Sequence, residues 1–107
     1  MKARFDWADT LAFQVKALGL PAPVREYRFD ASGLRRWRFD AAWPADMVAA
    51  EVNGAEWVRG RNNRGSGMAK DFEKLNTATL QGWAVFQFTG SQVQDGSAIK
   101  VLEEALR

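Results

Sequence analysis

Apolar residues recur with a helical period over residues 1–20, where Leu11, Val15 and Leu18 share one stripe and Phe13 lies nearer its edge. Asp9 or Thr10 is the expected cap of this leading helix. Gly19 is a natural stop, and Pro21 and Pro23 prevent the helix from resuming. The period then falls to two. Residues 24–31 (VREYRFDA) put Tyr27 and Phe29 on one face and Glu26, Arg28 and Asp30 on the other. Ser32-Gly33 reads as a turn, and Leu34 to Ala42 as the return strand, with Trp37 and Phe39 alternating with Arg36, Arg38 and Asp40. Pro44 ends that strand, because it lacks a donor and restrains Trp43 before it. Met47 to Asn53 forms the next strand, and Gly54 permits a bend after it. Connections this short predict three adjacent antiparallel strands.

The helical period returns over residues 68–81, where Phe72, Leu75 and Leu80 call for burial and Ala69, Ala78 and Thr79 fill in. Lys70, Asp71, Glu73 and Lys74 give this helix a charged side. Gly82 ends it. Trp83–Thr89 reads as a buried strand, with Trp83, Val85, Gln87 and Thr89 of one parity and Phe86 and Phe88 of the other. The intervening helix acts as a crossover, which favours a parallel last strand. Residues 90–96 form a connector with a helical turn at Ser91. Ser97 is the expected cap of a closing helix that packs Ile99, Leu102 and Leu106 inward, helped by Val101. The predicted order is α-β-β-β-α-β-α in a single α/β domain over residues 1–107, of which 1–23 are the leading helix and connector.

Composition narrows the chemistry. A chain of 107 residues can bury one hydrophobic core. It has no Cys and no His, so thiolate zinc sites, disulfides and imidazole bases are excluded, and any metal chemistry must use oxygen ligands, which favours magnesium or manganese. The net charge of +2 is too small by itself to argue for a nucleic-acid partner. No apolar run approaches membrane-spanning length and the N-terminus lacks a signal-type apolar region, so the expectation is a cytoplasmic protein with no membrane partner. Five Trp and seven Phe are many for this length and are expected mainly in the core.

The chemistry-bearing positions concentrate around Trp37–Gly54. Glu51 and Asn53 lie two apart on one strand, so they share a face. If Trp37–Ala42 pairs beside that strand, Asp40 converges on Glu51, and two carboxylates brought together call for a compensating divalent cation. An ordinary half-buried hairpin with charged outer positions fits the same pattern. Residues 57–70 carry Arg59, Arg61, Arg64 and Lys70 with no acidic residue, which suits either an anion-contacting loop or a plain surface loop. The spacing of a phosphate-cradling P-loop is absent. Lys70 and Lys74 stand one helical turn apart, and Gln87 is a single amide in an apolar strand.

The ordered set WRFDAAWP, AAEVNGAEW, GRNNRG, KDFEKLNTATLQGWAVFQFT and DGSAIKVLEEAL resembles small endonuclease-like domains of the PD-(D/E)XK superfamily. It is most similar to the branch of very-short-patch-repair endonucleases and related phage or prophage proteins. The resemblance spans about residues 25–106. It implies a restriction-endonuclease-like mixed sheet flanked by helices. Asp40 and Glu51 then stand at the first and second metal-binding acidic positions, and Asn53 at the third. Glu26, Asp71 and Gln87 match auxiliary polar positions, and Lys74 would stabilise negative charge near the attacked phosphorus. The implied activity is magnesium-dependent hydrolysis of DNA, with manganese as the alternative ion, structure-selective or weakly selective. Arg59, Arg61, Arg64 and Lys70 would contact the DNA. Two features depart from the family: a His expected at or near Asn62 or Asn63 is missing, and the position of Asn53 is neutral. They keep two other readings open, a catalytically weak or inactive nucleic-acid-binding module and a structural, partner-binding protein. A homodimer is compatible with one centre per chain.

Overall fold

The structure, a computed structural model, describes residues 6–53 and 66–107. The first helix, α1 (Trp7–Ala17), is capped by Asp6, whose carboxylate accepts from the Ala8 backbone N–H at 2.9 Å. The expected caps Asp9 and Thr10 lie inside the helix, and Asp9 sits in the first turn, where a negative charge faces the positive end of the helix dipole. Ala8, Leu11 and Val15 are buried. Leu18 is half-exposed at the C-cap, past the last helical turn, and Phe13 points outward. Gly19 takes a positive φ of 74°, which terminates the helix at no steric cost.

Four strands follow in sheet order β1-β2-β3-β4. The strand β1 (Val24–Arg28) pairs antiparallel with β2 (Arg38–Trp43), and β2 pairs antiparallel with β3 (Val48–Asn53). The helix α2 (Ser66–Leu80) then crosses over, and β4 (Ala84–Thr89) lies parallel to β3. The helices α3 (Gly90–Gln94) and α4 (Ser97–Leu106) complete the order α-β-β-β-α-β-α-α. The helical turn expected at Ser91 is thus a helix of its own, closed by a capping box between Thr89 and Gln92. The first hairpin is shorter than expected. Residues past Arg28 leave the ladder because the Asp30 carboxylate gathers the Ser32 and Arg35 backbone N–H groups and the Gln81 side chain into a fixed loop.

The sheet carries a core on each face. On one face α1, α3 and α4 bury Leu11, Val15, Val93, Ala98 and Leu102 against Ala41, Trp43, Ala50 and Phe88. On the other, Phe29, Phe39 and Trp83 fill the space beneath Ala78 of α2, with the Phe29 and Phe39 rings stacked at 4.1 Å. Among the described side chains of α2 only Ala78 is buried against this layer. Phe72 and Leu80, expected inside, are 56% and 86% exposed, and Ala78 takes the buried position instead. In α4, Gly96 and not Ser97 is the N-cap; Asp95 accepts from the Ser97 backbone N–H at 2.8 Å. Val101 faces outward, and Ala98 and Ala105 pack in its stead. As the sheet edge, β4 is less buried than its composition suggests, with only Phe88 fully covered and Gln87 exposed. Among the described residues no helix is long and apolar enough to cross a membrane.

Phe39 and Ala41, two residues apart on β2, belong to different cores. A regular strand would put them on one face. β2 therefore turns over at Asp40. The neighbouring strand does the same at the opposite position: Arg25 reaches Asp6 and Asp9 of α1, whereas Tyr27 joins the aromatic core, and Glu26 between them has φ +53°. Asp40 stands at this seam.

Candidate functional site

A cavity of about 250 Å³ opens where α2 crosses the C-terminal halves of β3 and β4. Glu51 and Asn53 enter it from one face of β3, as the period of two requires, and Gln87 enters from the register position opposite Glu51 on β4. Asp71, Lys74 and Leu75 line it from α2. Asp40 reaches it from the seam in β2. The β2–β3 ladder ends at the Ala41–Ala50 pair, one step short of an Asp40–Glu51 pair. In place of the next ladder bond, Asp40 Oδ2 accepts from the Val52 backbone N–H at 2.8 Å. The side chain thus satisfies a donor that the departing strand leaves behind and is itself fixed in direction.

Lys74 ties the cavity together. Its Nζ lies 2.6 Å from Glu51 Oε2, donates to the Arg38 carbonyl at 2.8 Å, and sits 5.8 Å from the Phe39 ring centroid. Both members of the Lys74–Glu51 pair are about one-fifth exposed (19% and 20%). Burial pushes the Glu51 carboxyl above its ordinary value; Lys74 opposes that, and the charges of Asp40 and Asp71 add to it. Three carboxylates facing one ammonium make the cavity a place where an added cation is favoured.

The donor chemistry fits a hard cation. Among the described residues, Asp40 Oδ1 and Glu51 Oε1 accept no hydrogen bond, so each carboxylate keeps one uncommitted oxygen. The Asn53 side chain lines the same cavity, so the oxygen donors available there are of the kind magnesium takes. Among the described residues no group of three or more His, Cys, Asp or Glu side chains gathers closely enough to hold a metal ion, so Asp71 does not join Asp40 and Glu51 as a third acidic ligand.

Other candidates stand apart. Glu26 does not line the cavity; it is exposed and pairs with Arg38 at 3.6 Å. Lys70 is exposed and lines a different hollow, beside Arg36 and Trp37. Arg59, Arg61 and Arg64, together with Asn62, Asn63 and Gly54, lie outside the described residues. Sequence reasoning missed two participants, the Val52 N–H and the Arg38 carbonyl. Both are backbone groups, and only the broken ladder at Asp40 makes them available.

No family model matches the chain. Among solved structures it is similar to the catalytic domain of the homing endonuclease I-Bth0305I, with a TM-score of 0.66 over 96% of this chain and 94% of that one, at 16% identity. The chain shares the fold of that domain, a mixed sheet flanked by helices. At that identity the likeness carries the fold alone. Two curated relatives, the uncharacterized proteins Rv2248 and MT2308 from two strains of Mycobacterium tuberculosis, are each 38% identical over 69 residues, which is 63% of this chain. The matched segment spans 23% of the length of each relative.

Proposed function

We propose that this domain is a metal-dependent DNA endonuclease that hydrolyses phosphodiester bonds, with structure-selective or weak sequence preference. The observation that carries the reading is the convergence of Asp40, Glu51, Asn53 and Lys74 on one solvent-reachable cavity of an endonuclease-like fold. Asp40, Glu51 and Asn53 would hold magnesium, or manganese in its place. Bound there, the ion would lower the pKa of a coordinated water and neutralise charge on the phosphate.

The chain's own residues do the rest. The Val52 N–H holds Asp40 in one orientation, and Lys74 holds Glu51. An ammonium has three donors, and Glu51 and Arg38 use two of Lys74's. The third suits a non-bridging phosphate oxygen, where it offsets charge that builds up during attack. Gln87, opposite Glu51, adds an amide that can orient the same group. Arg59, Arg61, Arg64 and Lys70 would contact backbone phosphates. Within the superfamily, the ordered motifs favour the branch of the very-short-patch-repair endonucleases.

A second reading is a nucleic-acid-binding module with weak or no cleavage. The neutral Asn53 and the internal pairing of Glu51 with Lys74 favour it.

The test incubates forked, nicked, mismatched and plain duplex DNA with the protein, with and without magnesium or manganese. The nuclease reading predicts ion-dependent products that Asp40→Ala and Glu51→Ala both reduce to background while DNA binding persists. Salt-sensitive binding with no ion-dependent product would establish the second reading instead.

A further inference from the structure

A second hollow, of about 490 Å³, lies between the loop after β1 and α2. Lys70 and Glu73 line it from α2, and Asp71 and Lys74 line the first cavity, so the two hollows flank the same turn of one helix. Its other wall is Leu34–Trp37.

The loop that makes this wall is built, not slack. Asp30 accepts from the Ser32 and Arg35 backbone N–H groups at 3.1 and 2.9 Å. Gln81 joins the loop to the end of α2 by donating to Asp30 and accepting from the Ala31 N–H. This fixed loop nevertheless turns Leu34 outward, 84% exposed. Beside it lies a laminated stack. Phe29 and Trp37 are parallel within 9° at 6.0 Å, and the Arg35 guanidinium covers the Trp37 ring 4.9 Å from its centroid. Glu73 holds Arg35 in place through an ion pair. Arg36 and Lys70, both exposed, form no ion pair among the described residues.

Two unpaired cations suit phosphates. They do not explain an outward Leu and a clamped guanidinium plane at the end of an aromatic stack. An exposed apolar side chain beside a planar cation suits the face of a nucleobase, and a guanidinium plane stacks on bases as aromatic rings do. In a duplex those faces are hidden by neighbouring base pairs. We infer that the hollow receives an unpaired nucleotide of the DNA strand leading into the first cavity, with its base against Leu34 and Arg35 and its phosphates at Arg36 and Lys70. The identity of the polymer as DNA rests on the nuclease reading above. The substrate class is then DNA with a single-stranded arm next to the scissile bond.

Binding is measured in EDTA, where no cleavage intervenes, by fluorescence anisotropy of a labelled oligothymidine, a blunt duplex and an abasic strand of equal length. The exposed positions allow substitution without disturbing the core. Arg36→Glu should weaken oligothymidine binding by about tenfold or more, and Lys100→Glu, an equal charge change on α4 across the sheet, by less than about twofold. Leu34→Ala should weaken oligothymidine several-fold and leave the abasic strand unchanged. The inference is overturned if the protein fails to bind oligothymidine, if Arg36→Glu acts no more strongly than Lys100→Glu, or if Leu34→Ala affects the abasic strand equally. A wild-type protein that cuts no DNA with either ion would instead overturn the nuclease reading, and the EDTA measurement would still decide the binding site.

Discussion

Lys74 answers two separate demands, because it donates both to the mostly buried Glu51 carboxylate and to the Arg38 carbonyl. Removing it leaves a mostly buried carboxylate without its counter-charge. Lys74→Met should therefore lower folding stability by about 1–3 kcal/mol at neutral pH. Adding Glu51→Gln removes the stranded charge, so the double variant should be less destabilised than the sum of the two single variants, as a urea-denaturation cycle would show. Additive costs would mean that the two side chains are not coupled. Asp30 is held by a cage of donors. Hydrogen bonds from Gln81 foremost, then from Arg35 and Ser32, hold its carboxyl at about 2, below the ordinary 3.8. A folded value below the unfolded one contributes stability above 3.8, and that contribution is lost as pH falls through about 2. In urea titrations at a series of pH values, Asp30→Asn should be less stable than wild type at neutral pH, and the gap should close across that window. A gap of constant size would rule out the titration of Asp30 as its source.

At the scale of elements, α1 and α3 come closest where Trp7 lies against Gly90. A Cβ on Gly90 would overlap the Trp7 indole. Gly90 has no positive φ, so the constraint is one of space and not of backbone conformation. Gly90→Ala should destabilise the fold by about 1–3 kcal/mol through displacement of the indole, seen as a lower urea midpoint with altered tryptophan fluorescence. The elements themselves were largely legible. Alternation located Glu51 and Asn53 on one face, and the long connection through α2 announced a parallel β4. The buried side of α2 was not legible, because Phe72, Leu75 and Leu80 spread around too wide an arc for periodicity to choose among them. What decides it is the aromatic layer of Phe29, Phe39 and Trp83, which joins the β1–β2 segment to the residue before β4, far along the chain.

Across the whole molecule, a four-stranded sheet with a core on each face leaves its chemistry at the border between one core and the polar cavity. The candidate side chains came from sequence, but the geometry that joins Asp40 to them did not. It depends on Glu26, a non-glycine residue with φ +53°, for which composition offers no signal. The turnover at Asp40 has a wider effect. The hairpin tip beyond it belongs with α2 and the aromatic layer, while Ala41 and Trp43 belong with α1 and α4. The loop of Leu34, Arg35 and Arg36 can thus be lengthened, recharged or exchanged with the helical side left as it is. One strand serves as the joint between a part that is free to diversify and a part that must stay constant.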